Sequence, residues 1–296
     1  MTKMPSVCDY EGSDYRTRFW ENQGRDYEDQ VERIALRRLM PPTGKTLLDV
    51  GAGFGRYADE FTGYERVVLL DYSASLLHEA RERLGDDPRY KFVAANWYKM
   101  PFVNGLFQTF VQLRTIHHAA DVPALFDELA RIAQPNGTYV LEFANKRNLK
   151  AMGRYLLRQQ TWSPFDTEPI EFVELNFDFH PKYIREKLHA AQFSPGKTIP
   201  VSHFRLGVLK RTIPTKLLVT ADRLAQFSGS GWQFTPSVFV RSGTPTNGSF
   251  ALADQFFACP ECKAPLQEEG DRLPCSCGCV WGIEEGVYNF KEPVAR

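Results

Sequence analysis

The stretch Leu47-Leu48-Asp49-Val50-Gly51-Ala52-Gly53-Phe54-Gly55-Arg56 carries a short apolar run into three glycines, and Asp71 closes the next apolar run, Val67-Val68-Leu69-Leu70. This order reads as a strand, a glycine turn and a helix over residues 54–61, with an acid at the end of a second parallel strand. Glycines admit backbone close to a ligand where a Cβ would clash, and amides at a helix start attract it. A carboxylate at the second strand end can accept both hydroxyls of a ribose. The reading is a nucleoside site. Spacing narrows it further, because the dinucleotide fingerprint places its third glycine where Arg56 stands, and no Lys-Ser or Lys-Thr follows Gly55 as a phosphate loop requires. A nucleoside without a pyrophosphate is therefore expected.

On these residues the chain resembles the class I S-adenosylmethionine-dependent methyltransferases, in particular the quinone-biosynthesis C-methyltransferases, over roughly residues 47–143. The resemblance implies that Asp49, Gly51, Ala52, Gly53 and Gly55 wrap the methionine part of S-adenosylmethionine. It places Asp71 on the ribose and Tyr72 against the adenine, with Asn96 and Trp97, ahead of Met100-Pro101-Phe102, at the adenine edge. Asn96 and Gln108 depart from the family pattern, which has acids there; Asn96 keeps a carbonyl acceptor for the adenine amino group but loses the charge. Arg114-Thr115-Ile116-His117-His118, after a fourth strand over 107–113, resembles the segment facing the transferred methyl. There His117 and His118 are candidate bases, or packing residues, and Arg114 a candidate cofactor contact and anchor for an anionic acceptor.

Asp121 and Pro123 open a helix through Ala133, and Pro135-Asn136-Gly137 stops it before a strand over 138–143. Alternating strands and helices imply an α/β doubly wound, Rossmann-like, seven-stranded sheet with helical insertions. Residues 1–40 resemble a helical lid, in which Tyr15 or Trp20 would stack near the sulfonium or else pack the first helix. The cofactor-binding domain is expected over 41–241, with insertions at about 146–180 and 203–228. A linker over 242–256 and a small ribbon over 257–296 complete the chain.

The ribbon rests on Cys259-Pro260-Glu261-Cys262 and Cys275-Ser276-Cys277-Gly278. Four thiolates in paired spacing select a tetrahedral structural zinc ion, and so small a module can hardly fold on its apolar content alone. Cys259, Cys262, Cys275 and Cys277 are the expected ligands, with Cys279 an alternative to Cys275 or Cys277. This module resembles the small zinc-ribbon activator subunits of tRNA and protein methyltransferases. Cys8 reads as a plain thiol.

The 296 residues hold 36 Lys or Arg and 36 Asp or Glu, so no global field draws the chain to nucleic acid. Residues 258–296 carry four Lys or Arg against seven Asp or Glu, which disfavours a ribbon that grips RNA. No apolar run nears the length of a membrane span, and residues 1–14 lack the apolar stretch of a secretory signal, so a cytoplasmic protein is expected.

The insertions look different. A helix over 146–160 sets Arg147, Lys150, Arg154 and Arg158 on one face and Leu149, Met152 and Leu156 on the other, while Pro214 divides 204–227 into two short basic helices. Such helices lie on an anionic membrane surface, cover a lipid-like or phosphorylated acceptor, or show a solvated charged face. The leading expectation is methyl transfer to a small or amphiphilic acceptor. Its rivals are an RNA methyltransferase, and a cofactor-binding scaffold that docks a protein partner through the ribbon.

Overall fold

The computed structural model describes residues 4–13, 16 and 23–296, so Tyr15 and Trp20 lie outside the described residues. In chain order the first elements are α1 (Asp26–Leu39), β1 (Gly44–Val50), β2 (Tyr64–Asp71), α2 (Ala74–Leu84), β3 (Tyr90–Ala94), β4 (Phe107–Gln112), α3 (Val122–Ile132) and β5 (Ala133–Ala144). After them come α4 (Leu149–Leu156), a hairpin of β6 (Ile170–Val173) and β7 (Asn176–Asp178), α5 (Pro181–Ala190), β8 (Ser194–Val201), α6 (Gly207–Thr212), α7 (Thr215–Ala225) and β9 (Ser237–Gly243). The C-terminal module adds β10 (Phe257–Ala258), β11 (Pro265–Leu266), β12 (Arg272–Pro274), β13 (Val280–Glu284) and β14 (Val287–Asn289).

Seven strands form the expected α/β sheet in the order β3-β2-β1-β4-β5-β9-β8, with β1 to β5 parallel and β9 antiparallel to both of its neighbours. Successive residues of the inner strands are buried on opposite faces. Leu48, Val68 and Leu70 pack with α3 and α5, while Leu47, Val67 and Leu69 pack with α1, α2 and α7. A strand buried on both sides reads as a continuous apolar run, as 67–70 does. The two faces give a three-layer core, and the parallel strands deliver all their C-terminal ends to one edge.

The ribbon is more than an appendage. Its β14 pairs in parallel with β3, Val287 opposite Phe92 and Asn289 opposite Ala94, and β13 and β12 continue outward to make ten strands. An open β3 edge would present unpaired amides, and this pairing covers it. Phe257 seals the joint, its ring tilted against Phe290 at 5.3 Å and Tyr288 at 4.7 Å, and Trp281 lies fully buried at 5.6 Å from Phe290. Each such ring contributes roughly 1.5–3 kcal/mol by burial. The stretch read as a linker also lies against the domain. Ala251 N donates to Gly105 O at 3.0 Å, and a Cβ on Gly105 would fall 1.7 Å from the Ser249 carbonyl oxygen.

Two helical expectations change. Over 54–61 the chain forms turns and one 3-10 turn, Ala58–Glu60, because Gly53 and Gly55 take φ of 53° and 72° and the side chains of Arg56 and Tyr57 reach back to Glu32 on α1. The helix expected over 146–160 shortens to α4. Asn148 caps its start by accepting from Ala151 N, and Arg158 at φ 57° lies beyond its end. Among the described residues no helix is long and apolar enough to cross a membrane.

Candidate cofactor cleft and cysteine cluster

At the C-terminal ends of β1 and β2 the glycine loop is pinned by its own amides. Gly51 N and Ala52 N both donate to Leu70 O, at 2.8 and 2.9 Å, and Gly53 N donates to Asp71 Oδ2 at 2.8 Å. The other oxygen of Asp71 accepts from Ser73 N at 2.9 Å. One carboxylate therefore ties the loop to the turn after β2. These three amides are spent on the protein itself, and no α-helix begins over 54–61, so the helix-start anion site expected from the sequence does not form. Burial raises the Asp71 carboxyl, and the N–H groups of Ser73, Gly53 and Tyr72 oppose that rise.

The loop bounds a cleft of about 840 Å³, open mouth included, lined by Asp49, Gly51, Ala52, Gly53, Asp71, Tyr72, Trp97, Arg114 and His118 among the residues expected there. Gly51 and Gly53 serve it differently. A Cβ on Gly51, at φ 74°, would lie 2.4 Å from Thr115 Cγ2, whereas one on Gly53 would meet only Leu76 Cδ1 at 3.9 Å and otherwise point into open space. Gly51→Ala is expected to cost about 2–4 kcal/mol in urea unfolding, through clash plus left-handed strain. Gly53→Ala is expected to cost about 1 kcal/mol and to act chiefly on ligand affinity.

Asp49 is buried beneath the loop, and its Oδ2 accepts no hydrogen bond among the described residues. Burial, with the nearby Asp71 charge, pushes its carboxyl up to about 8 against the pull of Arg56. An orphaned carboxyl of this kind fits a cationic ligand group.

Gly55 and Asn96 stand back from the cleft. Gly55 is fitted against Leu69 and Ala80. Asn96 Oδ1 accepts from Tyr98 N at 2.9 Å in a local turn, and its amide meets Met4 Sδ at 3.2 Å. Arg114, at φ 63°, donates its N–H to Glu142 Oε2 at 2.9 Å and its Nε to the buried Glu32 at 2.8 Å. Glu32 also takes Arg56 at 2.9 Å, so α1 answers both guanidinium charges; the two arginines hold its carboxyl below its ordinary value although burial opposes them. Glu32 escapes a motif reading because a charge inside an amphipathic helix reads as solvated.

The two histidines part ways. His118 faces the cleft, with Nδ1 at 2.7 Å from Leu175 O and Nε2 at 3.2 Å from Tyr10 Oη. A carbonyl only accepts, so the network assigns the proton to Nδ1 and leaves Nε2 an acceptor. Burial lowers its pKa, which keeps it neutral. His117, its ring 4.0 Å away, is not part of the cleft lining, and burial drives its pKa well below the ordinary value, with His118 and Arg114 adding to the fall.

Val7, Cys8, Tyr10 and Thr115 also line the cleft, so the thiol of Cys8 stands in its wall. The N-terminal segment is held by Glu11, whose carboxylate accepts from Ala74 N and Ser75 N at 2.9 Å each, at the start of α2. Lys291, just beyond β14, sits 4.5 Å over the Tyr72 ring and 3.2 Å from Glu11 Oε2. The ribbon thus touches the cleft wall and the N-terminal segment at once.

Cys259, Cys262, Cys275 and Cys277 bring their sulfurs within 4.8 Å of one another, while Cys279 stays outside the group, buried nearby. Measured separations are 3.8 Å for Cys259 to Cys277 and 3.4 Å for Cys262 to Cys275. A tetrahedron with zinc–sulfur bonds of about 2.3 Å has edges of about 3.8 Å, so the donor set fits zinc.

The chain is 26% identical over 162 residues to a demethylmenaquinone methyltransferase of Clavibacter sepedonicus, covering 54% of this chain and 58% of that protein. It is 29% identical over 150 residues to a malonyl-[acyl-carrier protein] O-methyltransferase of Legionella pneumophila, covering 49% and 50%. The chain spans about half the length of these curated relatives. In fold it is similar to a structure described as a complex between the Haloferax volcanii Trm112 methyltransferase activator and the putative methyltransferase, at 17% identity and a TM-score of 0.54, covering 81% of this chain and 100% of that one. Residues 48–141, which form most of the cleft, match the family described as a methyltransferase domain.

Proposed function

We propose that the chain transfers a methyl group from S-adenosylmethionine to a small or amphiphilic acceptor, with a structural zinc ion held by its C-terminal cysteines. The observation that carries this reading is the pairing of Asp71, which clamps the glycine loop, with the orphaned Asp49 carboxyl beneath it. Asp49 would face the cofactor's ammonium, Asp71 its ribose, and Tyr72 and Trp97 its adenine.

Bound there, the cofactor supplies an activated methyl on a sulfonium, a leaving group that needs little assistance. The chain's own residues align the acceptor, exclude water and take a proton. His118 is the base we assign, because Leu175 O fixes its tautomer and leaves Nε2 free to accept at the cleft wall once Tyr10 yields its hydrogen bond. Its lowered pKa keeps Nε2 available through the neutral range. The acidic ribbon favours a small acceptor over RNA. Incubating the protein and cell extract with tritium-labelled S-adenosylmethionine should place label in the lipid or small-molecule fraction. Label lost to RNase would overturn that assignment.

Asp49 gives this reading a pH signature. Its carboxyl rises from an ordinary 3.8 to about 8, so the cofactor-free protein holds this proton at pH 7, and Asp49's contribution to stability falls as pH climbs from 3.8 toward 8. An ammonium partner favours the carboxylate, so binding expels the proton and affinity grows with pH up to about 8. Calorimetry at pH 7 in two buffers of different ionisation enthalpy should show close to one proton released, and Asp49→Asn should abolish the release.

A further inference from the structure

Helix α4 is built with its apolar side outward. Its one buried residue is Ala151, while Leu149 and Leu156 are 55% and 72% exposed. At 3.6 residues per turn these two leucines stand about 140–160° from Ala151, directed away from the core. Leu157, next to Leu156 in the chain, is 69% exposed, and Val173 on β6 is 67% exposed. Tyr155 meets Phe165 at 6.1 Å and Trp162 meets Phe172 at 5.4 Å, which joins the helix, the loop after it and strand β6 into one surface. A solvated charged face over a core contact would have the opposite orientation.

The charges around this surface are sorted. Lys150, Arg154 and Arg158 flank the leucines, and no acid occurs from 145 to 165. Acids begin with the exposed Asp166 and Glu168 and continue on the hairpin with Glu171, which accepts from Leu175 N at 2.8 Å, and Glu174, on either side of the exposed Phe172 and Val173. Leu206 and Val208 are also exposed where α6 follows β8, a strand parallel to β5, so both insertions leave the same edge of the sheet. That edge carries the cleft, and Leu175 at the hairpin turn bonds His118 directly. On α4 the water-exposed leucines beside lysine and arginine match the apolar interior and anionic headgroups of a bilayer, and the acidic hairpin does not.

We infer that α4 and the loop residues just after it, 149–163, dock on an anionic lipid bilayer, with the acidic β6–β7 hairpin outside the contact, and lead a membrane-dissolved acceptor to His118. The inference rests on the amphiphilic-acceptor reading above. The full chain should sediment with vesicles of equal parts phosphatidylglycerol and phosphatidylcholine, not with phosphatidylcholine alone, and high salt should release it. The double variant Leu156→Glu, Leu157→Glu should bind at least tenfold more weakly, and Lys150→Ala with Arg154→Ala roughly 30-fold more weakly. S-adenosylmethionine affinity should not change in either, since none of these residues lines the cleft. A protein that binds the cofactor but neither vesicle overturns the docking and leaves the methyltransferase reading standing. A dimer split by the leucine variant, without vesicle binding, also overturns it by making this face a contact between copies. Vesicle binding without cofactor binding would instead remove the reading beneath.

Discussion

Removing the zinc we propose at the cysteine cluster, by chelation or by Cys259→Ser, is expected to unfold the ribbon and to weaken S-adenosylmethionine binding at least tenfold. Structural zinc contributes on the order of 10 kcal/mol of folding free energy to modules of this size, and β10, β11 and β12 are only two or three residues long. Cys259 is wholly buried, and its neighbours Phe257 and Ala258 join the ribbon to Phe102 and Pro101 of the domain. Losing the ribbon frees the β3 edge, exposes Trp281 and Phe290, and withdraws Lys291 from Tyr72 and Glu11. Circular dichroism and hydrogen exchange should show loss confined to the ribbon and β3, with calorimetry reporting the cofactor effect. Lys291→Ala separates the two consequences. It should retain the metal and the ten strands yet bind cofactor several-fold more weakly, because a charged contact at the cleft rim contributes about 1 kcal/mol. Unaltered affinity in the metal-free protein would mean that the ribbon only stabilises.

Asp71→Ala should lose cofactor affinity by roughly 100-fold or more, since hydrogen bonds to a charged group contribute about 1.5–3 kcal/mol each. The substitution removes the ribose contact we propose and also releases Gly53 N and Ser73 N, so the loop loses its clamp. Asp71→Asn keeps one acceptor oxygen and should fall between. Thermal unfolding tells loop loosening from global collapse, because Leu70 O still holds Gly51 and Ala52.

The glycine loop, Asp71 and the central strands are legible in the sequence because each is a local pattern, with strand, turn and acid inside 25 residues. The ten-stranded sheet is not legible. Its decisive pairing joins the three residues of β14 to β3, almost 200 positions earlier, and a strand so short carries no periodicity. Long-range side-chain contacts are equally silent. Tyr10 meets His118 across 108 positions and Lys291 meets Glu11 across 280. The turn over 54–61 mimics a helix because Tyr57, Ala58 and Phe61 keep helical spacing while serving as buried turn residues. For α4 the amphipathic pattern is visible, but a pattern says that one face is apolar and not which way it points. Only the position of Ala151 against the body of the protein settles that.

The most direct measurement is calorimetric titration of the folded, metal-loaded full chain with S-adenosylmethionine and with S-adenosylhomocysteine. The account predicts saturable heat at one site per chain for both compounds, with the heat lost in Asp71→Ala. Absence of heat from the native chain with either compound would contradict it.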